Sequence, residues 1–205
     1  YTPTSTGVWT NTVQVTGNYG DATVFASKSD QDSCATTVVD AKIAIAPDDT
    51  NEVGDDHTFV VTVMEDIGDG NGFQPAAGES VTVTLTDANG AAAVESNNTC
   101  ASTDGSGQCS VTFTSATAGT VTGHAASDVQ VAGLSLHRET DGTGNNSGDA
   151  VKTFVDAKIA IVPDDTNEVG DDHTFVVTVM QDNGNGSGFQ PAENEVVSIT
   201  LTDSN

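Results

Sequence analysis

Pro47-Asp48-Asp49-Thr50-Asn51-Glu52-Val53-Gly54-Asp55-Asp56-His57-Thr58-Phe59-Val60-Val61-Thr62-Val63-Met64 occurs twice in this chain, returning without a change at residues 163–180. Its second half decides the fold. Phe59, Val61 and Val63 alternate with Val60, Thr62 and Met64, the period-two pattern of a strand buried on one face. Outward from it, Val39-Asp40-Ala41-Lys42-Ile43-Ala44-Ile45 returns as Val155-Asp156-Ala157-Lys158-Ile159-Ala160-Ile161. The offset is 116 residues throughout, and 40 of the 52 positions in 38–89 match those in 154–205. Identity at a fixed period marks tandem copies of one structural unit. A unit of this length can bury its own core, unlike repeats of roughly 20–50 residues that must stack to be stable.

Strand patterning extends over the whole unit. Ile43 and Ile45 alternate with Ala44 and Ala46, and Val81, Val83 and Leu85 with three threonines. Val111 and Phe113 alternate with Ser110, Thr112 and Thr114; 120–122, 129–131, 134–136 and 151–154 read the same way. Turn clusters punctuate them at 68–72, 87–90, 104–107 and 142–146. No amphipathic helix of useful length interrupts the pattern. Seven or eight short strands in such a unit predict an all-β, two-sheet sandwich of the immunoglobulin kind. The expected organisation is a preceding unit's last strands in 1–37, a complete sandwich in 38–154, and the first half of the next repeat in 155–205. In 1–37, residues 12–17 and 22–26 read as a closing hairpin that parallels 120–123 and the strands after it. The chain therefore reads as a window on a longer repetitive protein. Phe154-Val155-Asp156-Ala157 runs from one unit's final strand into the next unit's first, with no Gly/Ser spacer, which predicts an extended, semi-rigid array.

At this point a family resemblance becomes legible. Residues 51–63, Gly72-Phe73-Gln74-Pro75-Ala76 with Val81-Thr82-Val83-Thr84-Leu85, and Thr103-Asp104-Gly105-Ser106-Gly107-Gln108-Cys109 with Val111-Thr112-Phe113 resemble bacterial immunoglobulin-like repeats of the Big-1, invasin–intimin type. The resemblance covers 38–154 well, the first half of the pattern in 155–205, and 1–37 loosely. It implies a prokaryotic cell-surface or extracellular protein in which such domains serve as stalk or adhesive modules in cell adhesion. Related sandwiches also decorate virions. The chain is more acidic than the familiar repeats of that family, and its cysteine pair is not typical of all of them.

The charge narrows the partners. Thirty acidic residues against five basic ones give a formal net charge of −25. Such a chain repels nucleic acid and anionic membrane surfaces, which need Lys/Arg counter-charge. It suits solubility, a high-salt setting or divalent cations. No run of about 18 apolar residues is present to span a membrane. Cys100 and Cys109 flank a turn-rich octapeptide, a spacing that predicts a disulfide, and with it an oxidising compartment; a zinc site is the runner-up. Cys34 is left unpaired or intermolecular, and its counterpart one period on is Ala150.

Calcium is the best chemical candidate. Asp48, Asp49, Glu52, Asp55 and Asp56 lie in the segment joining two core strands, and Asp164, Asp165, Glu168, Asp171 and Asp172 repeat the set. Hard oxygen ligands in a loop suit Ca²⁺, although no linear calcium motif is present. Residues 66–72 begin like an EF-hand but lack its spacing and read instead as a long turn. His57 and His173 follow an Asp pair at a strand start and read as hydrogen-bonding or strand-edge residues. His124 and His137 stand in different strands without metal spacing. The threonine ladders read as solvent faces, and the sequons at Asn97, Asn145 and Asn185 as chance matches in a threonine-rich chain. With no catalytic motif in view, the expected role is that of a non-enzymatic structural module, a stalk or spacer of an adhesin whose partners are the adjacent repeats. The alternatives are a subunit of a self-assembling filament built from like subunits by strand pairing, a virion-decorating domain, and an accessory domain of an enzyme outside this window.

Overall fold

The computed structural model describes residues 2–21 and 24–203. All regular elements among them are strands. In chain order these are β1 (Gly7–Asp21), β2 (Val24–Val38), β3 (Asp40–Ala46), β4 (Asp49–Glu52), β5 (His57–Asp66), β6 (Gln74–Pro75) and β7 (Val81–Ala88). They continue with β8 (Ala93–Asn98), β9 (Gln108–Ser115), β10 (Gly119–Val131), β11 (Leu134–Glu139), β12 (Ala150–Val162), β13 (Val176–Asp182) and β14 (Gln190–Pro191).

Residues 40–154 form two sheets around one core, an arrangement consistent with a β-sandwich. One sheet has the order β3-β5-β9-β8, with β6 against the end of β5. In the other, β7 lies on one side of β10, while β11 and the first part of β12 share the opposite side. β4 then pairs with β12 in parallel, in the register Lys152↔Asp49 to Val155↔Glu52.

The period-two reading holds on β5, β9 and β10 and fails on β11 and at the start of β12, where Leu134 and Val151 are exposed and Lys152 is buried. His57, Phe59, Val61 and Val63 face inward on β5; Cys109, Val111 and Phe113 do so on β9; Val121, Ala125, Val129 and Val131 do so on β10. Phe59 and Phe113 lie 5.1 Å apart at their ring centroids, and Phe113 meets Phe154 edge-on at 6.2 Å. Gly123 is small because Phe59 crosses the core against it. A Cβ there would lie 2.6 Å from the ring.

β1 and β2 form a separate two-stranded antiparallel ribbon, paired from Gly7↔Val38 to Asp21↔Val24. It is far longer than the hairpin expected from 12–17 and 22–26, and residues 22–23 lie outside the described residues. Its lower part repeats a register seen in the sandwich: Gly7↔Val38 through Asn11↔Cys34 corresponds to Gly119↔Phe154 through Gly123↔Ala150.

β12 does not stop at the end of the sandwich. Its second half pairs with β13, Asp156↔Asp182 to Val162↔Val176, which is the β3–β5 register, Asp40↔Asp66 to Ala46↔Val60, advanced by 116 residues. Gly68 and Gly184 mark the same place in the two copies, with φ of +76° and +69°. A Cβ on Gly68 would lie 2.6 Å from the Val38 carbonyl oxygen, and one on Gly184 would lie 2.5 Å from that of Phe154.

Candidate functional site

Cys100 and Cys109 form the expected disulfide, with Cα atoms 4.8 Å apart. Both are buried, in contact with the core, and Cys34 is an exposed free thiol.

The acidic segment 48–56 is not the open loop expected from sequence. Four of its residues form β4, and two of its carboxylates, Asp48 and Asp49, reach β12. Asp48 Oδ1 accepts from the Val151 amide at 2.7 Å, and Asp49 Oδ1 from the Thr50 amide at 2.8 Å. Val53 N–H donates to the Val155 carbonyl at 2.9 Å, which closes the end of the pairing. Glu52, Asp55 and Asp56 point to solvent, as do Asp164, Asp165, Glu168, Asp171 and Asp172 in the second copy. Among the described residues no group of three or more His, Cys, Asp or Glu side chains is arranged to hold a metal ion. The 66–72 segment is a tight turn: Asp66 accepts from the Gly68 amide at 2.9 Å, and Asp69 from the Asn71 amide at 2.9 Å.

The chemically unusual place is where β4, β5 and β12 meet. Lys152 is fully buried, because Ala150, Lys152 and Phe154 share the inward face of β12. Its Nζ donates to Asn51 Oδ1, lies 3.2 Å from Asp49 Oδ2, and sits 5.6 Å from the Phe154 ring centroid. His57 is buried beside it, with Nδ1 3.9 Å from Asp49 Oδ2 and its ring edge-on to Phe59 at 4.8 Å. Its Nε2 has no hydrogen-bond partner among the described residues. The aromatic wall is completed by Phe113, 5.6 Å from the His57 ring.

Each titration follows from this setting. Burial lowers the Lys152 pKa below the ordinary lysine range, against the opposing pull of Asp49 and Asp55. Burial also lowers His57, and the Lys152 charge adds to the effect. The Thr50 amide and Lys152 hold Asp49 below the usual carboxylate range. The cluster therefore pairs an ionised carboxylate with an amine that burial drives toward its neutral, nucleophilic form, against a primary carboxamide.

Sequence reasoning singled out Asp49 as a candidate calcium ligand and read His57 as a hydrogen-bonding or strand-edge residue, and it passed over Asn51 and over Lys152, which lies about a hundred residues away. A signal was present: a lysine in the inward phase of Ala150 and Phe154. The structure also joins the two histidines that sequence kept apart. His124 Nδ1 lies 2.8 Å from Asp149 Oδ1 and His137 Nδ1 2.8 Å from Asp128 Oδ1, while both reach Glu139 with Nε2, at 3.7 and 3.8 Å. Asp128 raises the His137 pKa. His173 is exposed and lies edge-on to Phe175 at 4.5 Å. Among the described residues no helix is long and apolar enough to cross a membrane, which says nothing of spans made by strands. No family model matches the chain, and no similar protein was found among the curated proteins.

Proposed function

We propose that this chain is a non-enzymatic structural segment of an extracellular, prokaryotic surface protein, built from tandem immunoglobulin-like sandwiches of the Big-1 type that act as a stalk or spacer. The observation that carries this reading is β12. One uninterrupted strand closes the sandwich by pairing with β10 and then opens the next unit by pairing with β13, in the β3–β5 register advanced by 116 residues. A shared strand leaves no flexible residue between units, so adjacent repeats hold a fixed spacing. The strand orders support the immunoglobulin assignment, since β3-β5-β9-β8 against β7-β10-β12 follows the ABED and CFG sheets of that fold. The buried disulfide fits an oxidising setting. Small-angle scattering on residues 1–205 tests the reading. An elongated particle is expected, and it shortens when four Gly/Ser residues are inserted after Val155. A compact particle whose dimensions ignore the insertion rejects it.

A further inference from the structure

We propose that Lys152 and Asn51 become joined by an intramolecular amide, a covalent bond between the side chains of β12 and β4. The arrangement holds each reactant of that bond. The amine is fully buried and already donates to Asn51 Oδ1, so its nitrogen lies next to the carbonyl carbon it would attack. Such fixed proximity replaces a bimolecular encounter by a unimolecular step, which removes much of the entropic part of the barrier. Asp49 Oδ2, 3.2 Å from the amine, is an ionised carboxylate and can accept its proton. The Phe154 ring lies 5.6 Å from the amine, and the buried His57 ring beside it packs against Phe59 and Phe113. These apolar surroundings favour the neutral amine over the ammonium.

The reaction balances without an outside reagent. Asp49 takes a proton from Nζ, and the nitrogen lone pair attacks Asn51 Cγ. The Cγ–Nζ bond forms, the proton passes through Asp49 to Nδ2, and the Cγ–Nδ2 bond breaks. A secondary amide remains and ammonia leaves, as ammonium when the amine began protonated. The product removes a buried cation, which is expensive to keep in an apolar site. Ammonia escapes to solvent, so the step runs one way. An ordinary ion pair between the buried Lys152 and the half-exposed Asp49 is the competing account, and it predicts no change in covalent structure.

The acceptor side of the cluster returns at the repeat offset as Asp165, Asn167 and His173, while the counterpart of Lys152 in β2 is Thr36. The unit spanning 40–154 is the one within this chain that holds both halves of the bond.

Intact mass and peptide mapping of the folded, reduced chain decide the matter. The expected mass is below the sequence mass by one ammonia, with the peptide containing Asn51 joined to that containing Lys152. The four Asn-Gly pairs, Asn71-Gly72, Asn89-Gly90, Asn183-Gly184 and Asn185-Gly186, lose the same ammonia if they close to succinimides, so the joined peptide is the deciding signal. Lys152→Arg restores the unjoined peptides. Asp49→Asn keeps a hydrogen-bonding side chain and forms the bond about a hundredfold more slowly. A folded wild-type chain whose two peptides are separate overturns the proposal, whatever the variants do.

Discussion

At Gly123 the core has no room for a methyl group, since a Cβ would lie 2.6 Å from the Phe59 ring. Gly123→Ala therefore overpacks the sandwich and costs about 1–3 kcal/mol, whereas Phe59→Ala, which empties the same place, costs about 3–5 kcal/mol. Urea unfolding midpoints separate the two. His57 makes a prediction in pH. Burial, then the Lys152 charge, lowers its folded pKa below the unfolded value of 6.5. The unfolded chain then binds the proton first, so the His57 contribution is complete above pH 6.5 and is lost as pH falls toward the folded pKa. His57→Leu flattens the stability profile over that window, and thermal unfolding from pH 7 to 5 checks it. If Lys152 is joined to Asn51 its charge is gone, and the wild-type profile is less steep than that of Lys152→Arg. His57 was read as a strand-edge or hydrogen-bonding residue, although it stands two residues before Phe59 in the same phase, and that phase is what buries it. The Lys152 contact was not legible, because it depends on a parallel pairing that no local pattern encodes.

Among the elements, the 100–109 turn and β4 show what short-range reading can and cannot see. The disulfide closes a loop of nine residues in sequence separation. Cys100→Ser with Cys109→Ser is expected to cost about 2–3 kcal/mol, read as a lower melting temperature that reductant reproduces in the wild type. Turn residues between two strands made that pair visible in advance. β4 gave no comparable sign. Asp49-Thr50-Asn51-Glu52 has no apolar alternation, and the segment becomes a strand only because β12 lies beside it and Asp48 caps the Val151 amide. β8 escaped notice for a related reason: its outer position leaves Val94 64% exposed, and a register shift interrupts its pairing with β9 between Glu95 and Asn97. At the junction ahead of the sandwich, Gly68 has no space for a side chain beside Val38 and Thr37. Gly68→Val should loosen the ribbon, and faster amide exchange in β2 and at the start of β3, with β9 unchanged, is the expected result.

For the molecule as a whole, the 116-residue offset was plain in sequence because identical residues meet identical partners, and the β3–β5 register does recur in β12–β13. The all-β class followed from the same alternation. The length of the ribbon and the fusion of two expected strands into β12 did not, since both depend on pairings that continue past the point where the apolar pattern fades. That fusion has a consequence for how the protein bears tension. Near the start of the unit the chain runs along β4, and it leaves along β12, parallel to it. A pull on the two ends of the unit drags these strands in opposite directions along their length. Their hydrogen bonds are then loaded together, in shear, instead of opening one after another. An amide between Asn51 and Lys152 would carry the load across that seam by itself. The hundred residues between them would hang outside the load path, and the sandwich could be stretched end to end without its core being asked to unfold.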